Sequence, residues 1–232
     1  YKKLSTSAKR DYDTIMDFFS RRKQYADFYY LDNRSYIGPN SGWNVMLPLY
    51  LDKLVFKTEN DVFNWVSLAG QTERAFAEYA RFEKDVLIPA GYARGAVTYS
   101  TIAEQCDSIA KVRDGEEHFL ITIFKDKIAK VDFLSEEEKQ NYILEATSKI
   151  NEKLVPAYQN LAQEMRALSE ANYPTKSLAE YSDGKAYYEL LFRDNSSSSD
   201  SVETAYNNLK VAFNETMAEA RALQENLEEG VT

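Results

Sequence analysis

Apolar residues recur at steps of three and four along most of this chain, and that period predicts helices. The plainest run is Ile143, Ala146, Ile150, Leu154, Ala157, Leu161, Met165 and Leu168, one stripe on a helix that reaches about Asn172. Ser135-Glu136-Glu137-Glu138 opens it as a capping box, in which the Ser135 oxygen accepts a backbone N–H and Glu138 reaches back to the cap. The three acids also complement the positive end of the helix. Pro156 falls inside the stripe and predicts a kink, because it removes an i to i−4 hydrogen bond. Tyr173-Pro174 ends the run.

The remaining pattern divides in the same way. Leu4, Ala8, Ile15, Phe18, Phe19, Tyr25 and Phe28 predict a first helix over 4–31. Turn residues between Asp32 and Pro48 break it, among them Asn33, Gly38-Pro39-Asn40 and Ser41-Gly42. Val45–Phe56 reads as a short helical or irregular stretch. A helix over 61–87, capped by Asn60, carries Val62, Trp65, Val66, Ala69, Ala75, Phe76, Tyr79 and Phe82, interrupted near Gly70. Pro89, Gly91 and Gly95 mark the next turn, Thr98 or Ser100 caps a helix to about Arg113, and Asp114-Gly115 closes it. His118 to Val131 is an element of open type, since Phe119–Phe124 has strand propensity. A loop over 173–184, a short helix over 185–192 and a Ser-rich tip at Asn195–Ser199 follow. Asp200 with Glu203 repeats the capping logic for a last helix over 201–229, with Ala205, Leu209, Phe213, Met217, Ala220, Leu223 and Leu227 as its core face. The pattern therefore predicts an all-α, irregular multi-helix domain with long antiparallel helices and little or no sheet. Residues 1–232 read as a single helical domain without an internal repeat.

Composition agrees and narrows the partners. A length of 232 residues buries a sizeable core, and 8 Gly with 5 Pro are too few for an all-β sandwich. A net charge of −9 argues against a nucleic-acid partner, because phosphate tracking depends on clustered Lys and Arg. Lys2-Lys3 and Arg21-Arg22-Lys23 read as helix surface. No apolar run reaches the roughly 18–20 residues of a membrane span. The chain begins at Tyr1 rather than Met, which fits a natural N-terminus that was removed. The expected location is extracytoplasmic, or lipid-anchored through a removed signal, with a cytoplasmic one left open.

Candidate chemistry is sparse. The chain holds one histidine, His118, and one cysteine, Cys106. A zinc site draws several ligands, and a catalytic Cys/His or Ser/His pair needs a further residue to hold the imidazole. His118 beside Glu116-Glu117 reads as a structural residue at a helix start, and Cys106 between Ile102 and Ile109 as a buried thiol. The acidic pairs read as caps and solvated faces, since neighbouring acids on a helix point apart. Gly91-x-x-x-Gly95 lacks the Lys-Ser/Thr of a phosphate loop. Aromatics are plentiful: 17 Tyr, 12 Phe and 2 Trp. They cluster at Tyr25, Phe28, Tyr29 and Tyr30, at Tyr36 and Trp43, and at Tyr181, Tyr187 and Tyr188. Rings with a polar tip suit a groove for peptide or sugar, and equally the rim of a helical core.

Three stretches, taken in order, look familiar. Val155-Pro156-Ala157-Tyr158 is followed by Leu161; Gly184-Lys185-Ala186-Tyr187-Tyr188-Glu189-Leu190-Leu191 comes after it; a Ser-rich turn then leads into a long helix. Upstream, Ala90-Gly91-Tyr92-Ala93 fits the same order. Together they resemble the N-terminal half of the bacterial domain-of-unknown-function 885 family. The resemblance implies a large, all-helical protein of zinc-metallopeptidase type, often exported or lipid-anchored. Its zinc site would be a His-Glu-x-x-His motif in the C-terminal half, where two histidines bind metal and the glutamate activates water. This chain has no such motif, so no catalytic or metal residue carries over and no cofactor is expected in it, zinc belonging to the parent chain. The resemblance thus implies a non-catalytic N-terminal part ending before the catalytic half. Its expected partners are that half and a peptide substrate, with Lys185, Tyr187 and Tyr188 nearest to a substrate cleft. A stand-alone helical binding module for peptide or glycan, or a protein-interaction scaffold, is the alternative.

Overall fold

The computed structural model describes residues 1–33 and 36–229, and among them every regular element is helical. In chain order the helices are α1 (Thr6–Tyr25), α2 (Tyr29–Asn33), α3 (Trp43–Lys53), α4 (Glu59–Phe82), α5 (Ala96–Ala110), α6 (Phe119–Ile128), α7 (Glu136–Lys149), α8 (Val155–Glu170), α9 (Gly184–Ser196) and α10 (Val202–Glu229). The chain forms two compact units, Tyr30–Lys176 and the pair of segments Tyr1–Tyr29 and Ser177–Thr232.

The Tyr30–Lys176 unit holds the main core. The predicted stripe from Ala146 to Leu168 is buried, while Ile143 is partly covered. Pro156 sits in the first turn of α8, and a π-helical turn, Ile150–Leu154, joins α7 to it, with the Val155 N–H donating to Ile150 O. The chain thus absorbs the proline with one wide turn. α8 runs antiparallel to α5: the Ser169 hydroxyl donates to Ala96 O at 2.9 Å, and Tyr158 lies by Cys106 further along. It runs parallel to α4, since Tyr142 bonds Glu59, Lys153 pairs with Glu73, and Lys84 pairs with Glu164. Gly70, where the α4 stripe is interrupted, leaves room for the Lys149 chain, whose Cδ would lie 3.1 Å from an added Cβ. The centre is aromatic, with Trp65 against Phe124 at 4.6 Å and Phe76 edge-on to Tyr158 at 4.9 Å. Each such burial contributes about 1.5–3 kcal/mol.

Several helix starts differ from those predicted. Thr58, not Asn60, caps α4, because Asp61 reaches back to the Thr58 N–H at 2.8 Å. Gly95, not Thr98 or Ser100, precedes α5, and the Thr175 side chain occupies the space where a Cβ at Gly95 would stand. Phe119–Ile128 is helix, not strand, because its Leu120, Ile121, Phe124 and Ile128 bury on a helical period. Glu116 and Glu117 lie exposed in the loop before it. α3 begins at Trp43, ahead of Pro48, which lies inside it. Ser135 and Glu138 form the predicted capping box.

The other unit is more open. α1 begins at Thr6, capped by Ser5, and ends at Tyr25, short of the predicted 31. Its Leu4, Ile15, Phe18 and Phe19 stripe is exposed, since no described element covers it. α9 runs to Ser196 and closes with Ser197 in the left-handed region. Ser201, not Asp200, caps α10, its Oγ accepting the Thr204 N–H at 3.0 Å. The expected core face of α10 is open: Leu209 is 70% and Phe213 64% exposed, and Leu223 is exposed too. Val202, Tyr206, Leu209, Phe213, Thr216, Ala220 and Leu223 alternate in steps of four and three, the period of a coiled-coil seam. Leu227, assigned to the same face, has its side chain outside the described residues.

Candidate functional site

The buried polar groups are committed to the scaffold. His118 caps α6: its Nδ1 accepts the Leu120 N–H at 3.3 Å, and its Nε2, 2.8 Å from Ile109 O, donates to that carbonyl. Both ring nitrogens are therefore used, and burial lowers its pKa, partly offset by the bond to Ile109. Cys106 is fully buried, and burial pushes its thiol up to about 12, far from a nucleophile's range. Glu83, Arg94 and Tyr99 form a buried cluster at the π-helical turn Glu83–Leu87 that ends α4. Glu83 Oε1 accepts from Arg94 Nε at 3.2 Å and from the Tyr99 hydroxyl at 2.7 Å, while the Arg94 N–H donates to that hydroxyl oxygen at 3.1 Å. The sequence does signal Glu83, as an acid at the position where the α4 stripe of Phe76 and Ala80 should continue. Among the described residues no group of three or more His, Cys, Asp or Glu is placed to hold a metal ion.

Open surfaces carry the aromatics. Lys185, Tyr187 and Tyr188 lie on α9, where successive side chains diverge by about 100°. Tyr187 is half-buried and packs edge-on against Tyr25 at 6.2 Å and on Phe28 at 5.4 Å. Lys185 is exposed. Tyr188, 51% exposed, borders a shallow depression of about 510 Å³ with Leu191, Phe192 and Asn195. The α9 turn thus splits the trio between packing and surface. Gly184 begins this helix because an added Cβ would strike the Leu178 carbonyl oxygen.

In the Tyr30–Lys176 unit, α3 buries Asn44, Leu47, Pro48 and Leu51 and turns Trp43, Met46 and Tyr50 outward. Where it meets α4 it leaves a notch of about 180 Å³ lined by Trp43, Leu47, Leu68, Ala75, Phe76 and Tyr79. Tyr36 lies parallel on Tyr79, 5.5 Å between centroids at 1°. The Tyr36 and Trp43 pair was visible in the sequence; Tyr79 was not, because its place on the α4 stripe reads as core. A second groove, of about 710 Å³ between α4 and α8, is floored by Phe76, Ala80, Ala157 and Leu161 and crossed by the exposed Lys84–Glu164 pair.

Comparison with known proteins places this architecture. No curated protein matches the chain. It is similar to a crystal structure described as "the putative lipoprotein from Colwellia psychrerythraea", with a TM-score of 0.61 at 20% identity over 72% of this chain. The chain spans only 28% of the length of that protein. The family model described as "Bacterial protein of unknown function (DUF885)" matches residues 1–231, and the chain belongs to that family.

Proposed function

We propose that this chain is the non-catalytic, N-terminal helical part of a longer zinc-metallopeptidase-like protein, in which it forms one wall of a cleft for peptide. The observation that carries this reading is the open seam of α10, an apolar face of coiled-coil period with no cover among the described residues. A face of that kind is unfavourable in water and suits a larger assembly. The length of the Colwellia protein supports it too, since the likeness covers only 28% of that chain. Zinc does not fit the residues present: the one imidazole has both nitrogens bonded and the one thiol is buried and protonated. Metal chemistry in this reading belongs to the remainder of the longer protein. Lys185 and Tyr188, both exposed on α9, are the side chains this reading assigns to the cleft, while Tyr187 packs on Tyr25 and Phe28. The name of the Colwellia protein favours an extracytoplasmic or lipid-anchored location, and no described helix is long and apolar enough to cross a membrane.

The test is to sequence the coding DNA beyond the codon for Thr232. A continuing frame with His-Glu-x-x-His, stoichiometric zinc in the long protein and metal-dependent peptide cleavage are the expected results. A stop codon in place of that frame, or tight zinc in residues 1–232 alone, would overturn the reading and leave a stand-alone binding module or scaffold.

A further inference from the structure

We propose that α1 lies flat on an anionic lipid surface, with its open apolar face in the bilayer interface and its cations on the lipid phosphates. Every residue from Asp11 to Ser20 is exposed, Phe19 at 62% and Ile15 at 53%. The helix is tied down through its last turn. There Arg21 pairs with Asp194, the Tyr25 hydroxyl donates to the same carboxylate at 2.9 Å, and the Tyr25 ring packs on Tyr187. At about 100° per residue, Ile15, Phe19, Tyr12 and Met16 fall within an arc of about 100°, and Phe18 adjoins it. Five large apolar side chains on one side of an exposed helix are the mark of a face that is covered in use.

Charge identifies what covers it. Residues 1–25 carry seven Lys and Arg against three Asp, a net charge of +4 on a chain of −9. Lys2 and Lys3 precede the helix, and Lys9, Arg22 and Lys23 share or border the apolar side. Two of these cations stand over rings: Lys9 Nζ lies 5.8 Å from the Tyr1 centroid, and the Arg22 guanidinium 5.5 Å from that of Phe18. Of the acids, Asp11 is on the apolar side, Asp17 points away and pairs with Arg21, and Asp13 accepts the Tyr1 hydroxyl. The cations thus flank both ends of a 20-residue helix, which spans about 30 Å. Lipid phosphates form a continuous negative plane that meets both ends at once. Lys and Arg stems lie along the apolar residues and keep their charges in water, while Tyr and Phe rings suit the same depth. The contrast is α10: its face is also apolar, but the helix carries six Glu against one Lys and one Arg, which an anionic surface repels.

This inference depends on neither the zinc nor the cleft of the proposed function. The experiment uses residues 1–232 without lipid modification and measures sedimentation with vesicles. One set is phosphatidylcholine alone, the other phosphatidylcholine and phosphatidylglycerol in equal parts. The expected result is binding to the anionic vesicles at least about tenfold tighter than to the neutral ones, and weaker as salt is raised. Ile15→Ser with Phe19→Ser, and separately Lys2→Gln, Lys3→Gln and Lys23→Gln together, each weaken it at least about tenfold. All five positions are exposed, so the melting temperature stays unchanged. Cys106 is fully buried, so a polarity-sensitive thiol dye couples at a new cysteine alone. On anionic vesicles the dye shifts to the blue in Phe19→Cys and not in Thr14→Cys, about 140° away around the helix. No vesicle binding, equal binding to both vesicles, undiminished binding in either variant, or equal dye shifts at the two positions would overturn the proposal. Self-association that Ile15→Ser with Phe19→Ser abolishes, without vesicle binding, would assign the face to a second copy instead.

Discussion

The Tyr158 hydroxyl donates to the carbonyl oxygen of Asn44 at 2.9 Å, and that oxygen is the one Pro48 leaves without its helical partner. In α3 the Asn44 carbonyl would ordinarily receive the N–H of residue 48, which proline lacks. A tyrosine from α8, 114 positions along the chain, supplies the missing donor. Burial raises the Tyr158 pKa, so the group remains a donor throughout the working range of pH. Tyr158→Phe should cost about 1–3 kcal/mol by orphaning a buried carbonyl. Pro48→Ala should recover part of that loss, and a urea double-mutant cycle measures the coupling. Independent, additive losses would refute the link.

The Glu83, Arg94 and Tyr99 cluster predicts asymmetric losses. Tyr99→Phe removes one donor to the carboxylate and should cost about 1–3 kcal/mol. Glu83→Ala removes the buried carboxylate that accepts from both the Arg94 Nε–H and the Tyr99 hydroxyl and should cost about 3–5 kcal/mol. Chemical denaturation at neutral pH checks the order. A Glu83→Ala loss no larger than that of Tyr99→Phe would mean that the ion pair is open to water.

His118 predicts an acid-sensitive limb of stability. Burial lowers its pKa below 6.5 in the folded state, so the unfolded chain binds the proton first. Stability from this group is complete above 6.5, falls as pH drops through that value, and levels out once the folded state is protonated too. His118→Asn retains an acceptor for the Leu120 N–H, loses the donor to Ile109 and should cost about 0.5–1.5 kcal/mol at neutral pH. Its melting temperature should fall less between pH 7 and pH 5.5 than that of the parent. Identical pH profiles would assign the acid limb to carboxylates such as Asp61 and Glu138, whose pKa values hydrogen bonds lower.

Gly184→Ala tests why glycine opens the Gly184-Lys185-Ala186-Tyr187-Tyr188 run. The new methyl would meet the Leu178 carbonyl, part of a backbone turn tied down by the Ser177 N–H to Glu180 bond at 2.6 Å. Backbone cannot step aside as a long side chain can, and overpacking of this kind costs about 1–3 kcal/mol. Amide exchange should quicken in α9 and stay unchanged in α5 and α8. A stable Gly184→Ala protein would show that the contact relaxes easily.

The α10 seam predicts a change in association rather than in folding. Leu209→Glu with Phe213→Glu alters two exposed apolar residues, so thermal stability should shift by no more than about 0.5 kcal/mol for each. Binding of a hydrophobic dye and self-association on light scattering should both fall. A large loss of stability would show that this face is covered in solution.

Period and capping chemistry determined the helices, because both act between residues a few positions apart. The Ser135–Glu138 box and the stripe from Ala146 to Leu168 were legible for that reason. So was the inert character of Cys106, which follows from its apolar neighbours on one turn. Other features depend on residues distant in the chain. Gly95 displaced Thr98 because of Thr175, and Pro48 is accommodated because of Tyr158. The Phe119–Phe124 run became helix because the core it joins accepts a helical period. Periodicity marks an apolar face but not what covers it, which is why α8 is buried and α10, with an equally regular stripe, is open. The notch beside Trp43 was partly visible: that one of its aromatics stood out in the sequence, and only the meeting of α3 with α4 gave it a floor.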